Sequence, residues 1–170
     1  MKKISLLLIS VILLFSLVAC SSHSSSTSSE PTPSPITTIT ASQALSLDDA
    51  QGLVTYPLVA SNASDSSVTY QCDPIGQGDV ISVTVSQYNE VTTKDKVRSD
   101  YDKTKAMRPT AETLEGIGDD AYIAFPTVHV YKDGYHVSVT AGSGGDQVQH
   151  DLLQKIAGIV DNNLNTLLNK

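Results

Sequence analysis

The 170-residue chain has no tryptophan, two phenylalanines and two cysteines, and 11 basic side chains stand against 18 acidic ones. Each shortage excludes something. With seven tyrosines as the main aromatic stock, the core must be largely aliphatic, with tyrosines at its margins where the hydroxyl can find a partner. One cysteine lies at position 20 beside the N-terminal apolar run, so no intrachain disulfide is expected to brace the domain, and stability must come from packing unless Cys72 pairs between chains. The acidic balance argues against nucleic acid as a partner, because a phosphate backbone demands a dense positive surface. Nor is any apolar run long enough to span a bilayer. About sixteen helical residues up to Val18, at ~1.5 Å each, reach roughly 24 Å against a hydrocarbon core of ~30 Å.

What is present begins with a targeting signal. Lys2 and Lys3 precede the uncharged stretch from Ile4 to Val18, and Leu17-Val18-Ala19-Cys20 closes it, which is the order of a positive n-region, an apolar h-region and a small-residue cleavage site. That tetrapeptide looks like a bacterial lipobox. In proteins that resemble this one the cysteine thiol takes up a diacylglyceryl group and cleavage makes it the first residue. The expectation is a signal peptide over residues 1–19 and lipidation at Cys20, two acyl chains then holding the protein on the membrane without a spanning helix. Loss of Lys2 and Lys3 leaves 18 acidic against 9 basic side chains, a formal −9. Residues 20–40, nearly all Ser, Thr and Pro after the cysteine, have too little apolar surface to offset the entropy of ordering, and are expected to be a disordered tether. Such a leash typically spans roughly 25 Å. His23 within it is too isolated to hold a metal.

Residues 41–170 are expected to form a single domain. Ser46 with Asp49 suggests a capped short helix ending before Pro57. Val68 to Cys72 alternates apolar and polar, and Val80 to Tyr88 does so again with Ile81, Val83 and Val85 on one face and Ser82, Thr84 and Ser86 on the other. Between them Asp73 to Asp79 is a turn by composition; its glycines match no phosphate loop, and a calcium turn on Asp73 and Asp79 is the minor alternative. Thr92 with Asp95 suggests the start of a helix over Thr93 to Met107, stopped by Pro109, with a thin stripe of Val97 and Tyr101. Gly116-Ile117-Gly118-Asp119-Asp120-Ala121 is a turn feeding a strand over Tyr122 to Phe125. Asp133-Gly134 is the preferred pair for a two-residue type I′ hairpin, and that register sets Val130 opposite Val137 and Val128 opposite Val139. After a bend at Gly142 to Gly145, apolar positions from Val148 to Leu168 keep helical spacing for about five turns, enough for a lid over the sheet.

Candidate sites are few. Six basic residues lie between Lys94 and Arg108, and Lys94, Arg98, Tyr101 and Lys105 line up as an interaction strip for anionic headgroups, wall polymers or an acidic partner; Lys96 with Asp100 and Arg98 with Asp102 are i,i+4 pairs that a merely solvated face would also show. His129 and His136 are diagonal neighbours on the polar face of the hairpin, within reach of a shared ion, although two histidines fall short of a typical zinc site. Asp119 and Asp120 fit a turn better than acid catalysis. Cys72 alternates with Val68 and Tyr70, as a buried thiol would. No nucleophile, base or metal constellation is complete, so no catalytic residue, metal or cofactor is expected.

Short helices with tightly joined strands predict an α+β two-layer sandwich, an antiparallel sheet with helices packed on one face. The Ser46-Leu47-Asp48-Asp49-Ala50 helix, the strand ending in Tyr70-Gln71-Cys72, the Gly-Ile-Gly-Asp-Asp-Ala turn and the closing helix resemble a broad group of uncharacterised bacterial lipoproteins, best represented among actinobacteria. The resemblance implies the sandwich fold of the photosystem II extrinsic protein and of the Ran-binding Mog protein. It carries over no enzymatic residues. The function expected is a lipid-anchored extracytoplasmic binding module of the cell envelope, at a membrane of Gram-positive type, with an envelope protein, wall polymer or small apolar ligand as partner. The alternatives are a carrier of an apolar ligand beneath the final helix, or a divalent-metal enzyme using His129 and His136.

Overall fold

The computed structural model describes residues 36–73, 80–142 and 146–170. The expected signal peptide, Cys20, His23, most of the tether, and the turns over residues 74–79 and 143–145 lie outside the described residues. In chain order the elements are α1 (Ala41–Ala44), α2 (Leu47–Gln51), β1 (Leu58–Ser61), β2 (Ser67–Cys72), β3 (Val80–Gln87), α3 (Lys94–Ala106), β4 (Glu112–Thr113), β5 (Asp120–Ala124), β6 (Thr127–Lys132), β7 (Tyr135–Gly142) and α4 (Asp146–Leu168). The seven strands form one antiparallel sheet in the order β1-β2-β3-β7-β6-β5-β4. The chain is an α+β fold. No helix among the described residues is long and apolar enough to cross a membrane.

Local chemistry explains most of the elements. Ser46 and Asp49 form a reciprocal capping box at the start of α2, which satisfies two otherwise orphaned helix N–H groups. Thr40 and Gln43 do the same for α1. Alternation on β2, β3, β6 and β7 buries Val68, Tyr70, Cys72, Ile81, Val83, Val85, Val128, Val130, Val137 and Val139 in one apolar layer. Asp133 and Gly134 adopt the positive φ values, 45° and 89°, that a type I′ turn requires, and the valine pairs of β6 and β7 face one another in the expected register.

α4 covers that layer. Leu153, Ile156, Ala157, Val160 and Leu164 are fully buried, and each fully buried large aliphatic among them contributes about 1.5–3 kcal/mol. Lys132 on β6 pairs with Asp161 at 2.9 Å, and Asn163 reaches the Ala44 carbonyl and the Asp49 carboxylate, so α4 is pinned to both the sheet and the N-terminal helices. Burial works to raise the pKa of Asp49, but the hydrogen bonds from Ser46 and Asn163 outweigh it and hold the carboxyl below its ordinary range.

Three findings revise the sequence expectations. First, the domain begins earlier than residue 41: Ile39 is fully buried, its N–H donates to Gln87 at 2.9 Å, and the Tyr135 hydroxyl donates to the Thr37 carbonyl at 2.6 Å. Second, β1 and β4, both unforeseen, are the short outer strands of the sheet; β4 has only two residues. Third, α2 and α4 share one face as expected, joined there by the unforeseen α1, but α3 packs on the other: Val97 and Tyr101 cluster with Tyr122, Ala124 and Tyr131, whereas Ala121 and Ile123 of the same strand β5 belong to the α4 layer. The reason is topological. The connection from β3 to β4 must cross β7, β6 and β5, and α4 already covers one side of them.

The Gly116–Gly118 turn between β4 and β5 is tightly folded against β6. Both glycines have positive φ, but a Cβ on Gly116 would meet open space while one on Gly118 would lie 2.5 Å from the Tyr131 carbonyl oxygen. Gly116→Ala should therefore cost about 1–2 kcal/mol from backbone conformation alone. Gly118→Ala should cost clearly more, and urea denaturation of the two variants side by side checks the ranking.

Candidate functional site

The face under α3 gathers nearly all the chemically distinctive side chains. α3 is capped by Thr93, one residue later than the expected Thr92, and the Thr93 hydroxyl accepts from the Lys96 N–H. Only Val97 and Tyr101 supply its buried apolar contact, far less than α4 has, so charge and ring contacts must do the rest. The Tyr101 ring lies 5.3 Å from Tyr122, 5.4 Å from Tyr131 and 5.1 Å from His136. The Arg98 guanidinium lies over both Tyr101 and Tyr131, an attraction worth about 0.5–2 kcal/mol per contact.

Asp120 ties this layer together. Its carboxylate accepts from Arg98 and from Lys105, each at 2.9 Å. Burial works to raise its pKa, yet the hydrogen bonds and charges of Lys105 and Arg98 outweigh it and hold the carboxyl below its ordinary range. Burial pushes the Tyr101 phenol well up, helped by the nearby Asp120 charge, and burial pushes Tyr122 up to about 12. The hydroxyls of Tyr101 and Tyr122 have no hydrogen-bond partner among the described residues.

The expected interaction strip is thus reversed in sense. Lys94, Arg98, Tyr101 and Lys105 do share one stripe of α3, but Tyr101 is fully buried, Arg98 and Lys105 pair with Asp120, and Lys94 pairs with Asp133 and covers the Tyr88 ring. The stripe that carries the only buried apolar residues of α3 is the one that docks, and carboxylates from the start of β5 and from the β6–β7 turn meet its cations. The pairs Lys96–Asp100 and Arg98–Asp102 form as expected on the helix surface. Asp119 has the turn role: its carboxylate accepts from the Asp133 N–H at 2.7 Å. Cys72 is buried in the opposite, α4-covered layer.

His129 and His136 do meet. Nδ1 of His129 and Nε2 of His136 are 3.0 Å apart, and Tyr122 stacks on His129 at 4.5 Å. Burial drives both pKa values from 6.5 down to about 4, with the His136 and Arg108 charges lowering His129 further, so both rings are neutral at pH 7. His136 also lines a cleft of about 360 Å³ beside α3, with Ser86, Gln87, Thr92, Val97, Asp100 and Thr104. Among the described residues no group of three His, Cys, Asp or Glu side chains is placed to hold a metal ion.

Where α3 ends its cover, the same face of the sheet is open, and here sequence reasoning missed a pattern. Ser61, Thr69, Ser82, Thr140 and Thr127 are successive register partners across β1, β2, β3, β7 and β6, a row of hydroxyls roughly 19 Å long at ~4.8 Å per strand. Ser67, Thr84 and Ser138 form a parallel row beside it. Thr69 and Ser82 are hydrogen-bonded at 3.3 Å, Thr127 and Thr140 at 2.8 Å. The polar alternation of each strand was readable; the alignment needs the β3–β7 pairing, which no local signal announces. No protein-family model, curated protein or solved structure matches the chain.

Two outcomes are expected. Asp120→Asn, by removing the charge that two cations share, should destabilise by about 1.5–3 kcal/mol in urea unfolding at pH 7. Because the folded-state pKa of Asp120 is depressed, that difference from wild type should persist above pH ~4 and shrink as pH falls below it. The histidines act in a higher window. An unfolded chain takes up protons that the buried pair refuses, so stability is full above pH ~6.5 and is lost as pH falls towards 4, by up to ~1.4 kcal/mol per pH unit for each ring. A His129→Gln/His136→Gln chain should show a flatter profile between pH 6.5 and 5, and an unchanged slope would contradict a buried neutral pair.

Proposed function

We propose that this protein is a lipid-anchored, extracytoplasmic binding module of a bacterial envelope, without catalytic chemistry of its own, and that the open half of its sheet is the surface it presents. The observation that carries this reading is the double row of Ser and Thr hydroxyls. Thr84 and Thr140 are exposed, both rows consist of uncharged side chains, and backbone pairing holds their donors and acceptors at regular spacing. Such a surface suits a hydrogen-bonding partner, and a hydroxyl-rich wall polymer above an apolar ligand. Leu153, Ile156, Ala157, Val160 and Leu164 of α4 are fully buried against the sheet, whereas the hydroxyl rows face outward, so the open face is favoured over a carrier's internal site. Support for the anchor is the order of Lys2-Lys3, an apolar run and Leu17-Val18-Ala19-Cys20.

The reading is tested by Thr84→Arg combined with Thr140→Arg, which alters the open face without touching the buried layers. Retention of the chain on isolated cell wall is expected to fall at least about tenfold, ~1.4 kcal/mol, while circular dichroism stays that of the wild type. Cys20→Ser should separately shift the protein from the membrane to the soluble fraction. Equal retention of the folded double variant would remove the open face from consideration.

A further inference from the structure

The paired imidazoles offer something the binding reading does not use. Two ring nitrogens 3.0 Å apart share a bridging hydrogen, but the same separation fits a shared cation. With metal–nitrogen bonds of ~2.05 Å, it corresponds to a ligand–metal–ligand angle of about 94°. That angle is close to the right angle between neighbouring ligands of a square-planar or octahedral ion, and short of the tetrahedral angle that zinc prefers.

The surroundings fit a site that is already formed. Tyr122 stacks on His129, and the edge of Tyr101 meets His136, so both rings are held in place before any ion arrives, as second-shell contacts hold ligands in metal proteins. The cleft lined by Ser86, Asp100 and Thr104 reaches His136 and supplies a route from solvent. The proton balance also closes. Whichever imidazole donates the bridging hydrogen shifts it to its other ring nitrogen, each facing nitrogen then has a lone pair to give to the ion once the rings turn slightly, and no proton is released.

We propose that His129 and His136 form a bis-imidazole site for a divalent cation of tetragonal preference, Cu(II) ahead of Ni(II) and Zn(II), reached through the cleft beside α3 and completed by water. The order follows from the angle and from the general ranking of divalent ions on nitrogen ligands. The two ligands lie on different strands and are brought together by the hairpin register that Asp133-Gly134 sets.

The test uses the full chain, purified without chelators and titrated with Cu(II) chloride. One ion per chain is expected, with an electron paramagnetic resonance spectrum showing hyperfine splitting from two histidine nitrogens, identified by ¹⁵N-histidine labelling of the wild type. His129→Gln and His136→Gln should each weaken binding at least tenfold, whereas His23→Gln and His150→Gln should leave it unchanged. A wild-type spectrum with one histidine nitrogen or none overturns the proposal whether or not the variants fold. So does wild-type affinity in the folded His129→Gln/His136→Gln chain.

Discussion

The eight-residue pairing of β3 with β7 is the constraint on which the rest of the molecule depends. It joins the N-terminal strands to the C-terminal hairpin and makes one seven-stranded sheet out of two smaller groups. Once β7 lies beside β3, the chain leaving β3 can reach the far edge only by crossing three strands, and α3 is that crossing. The same pairing continues the hydroxyl row from β2 and β3 onto β7 and β6, and sets the cleft between α3 and His136.

The two sides of the sheet are held by different forces. On the α4 side the energy is mainly apolar burial, insensitive to pH and salt, with Lys132–Asp161 and Asn163 fixing the register. On the α3 side two buried apolar residues are supplemented by the Asp120 ion pairs, by cations over tyrosine rings and by a pair of imidazoles that must stay neutral. Charges and titratable groups respond to conditions in a way that valines do not. The helix with the weaker apolar hold therefore covers the more responsive chemistry, next to the part of the sheet left open.

Legibility in the sequence followed the range of the interaction. The Ser46–Asp49 capping box, the Asp133-Gly134 turn with its valine register, the buried alternation through Cys72 and the long stripe of α4 all depend on residues close together in the chain, and all were readable. β1 and β4 were not. Leu58–Ser61 and Glu112–Thr113 are too short to show a period, and they are strands only because β2 and β5 lie beside them. Ile39 belongs to a Ser/Thr/Pro-rich stretch and is buried only because Gln87 and Tyr135 receive that segment. In the candidate site the diagonal contact of His129 and His136 was legible from the hairpin, while the direction of the Lys94–Lys105 stripe depended on Asp120 and Asp133.

The sequence by itself determined the α+β class, the antiparallel hairpin, the capping box at Ser46 and the valine-bearing face of β2, β3, β6 and β7 that is buried, because periodicity and turn chemistry act over a few residues. Only the tertiary structure decided that α3 takes the face opposite α4, that Asp120 and Asp133 receive its cations, and that hydroxyls from five strands align into one row. Those outcomes depend on which strands become neighbours, and that choice is made by the packing of the whole sheet.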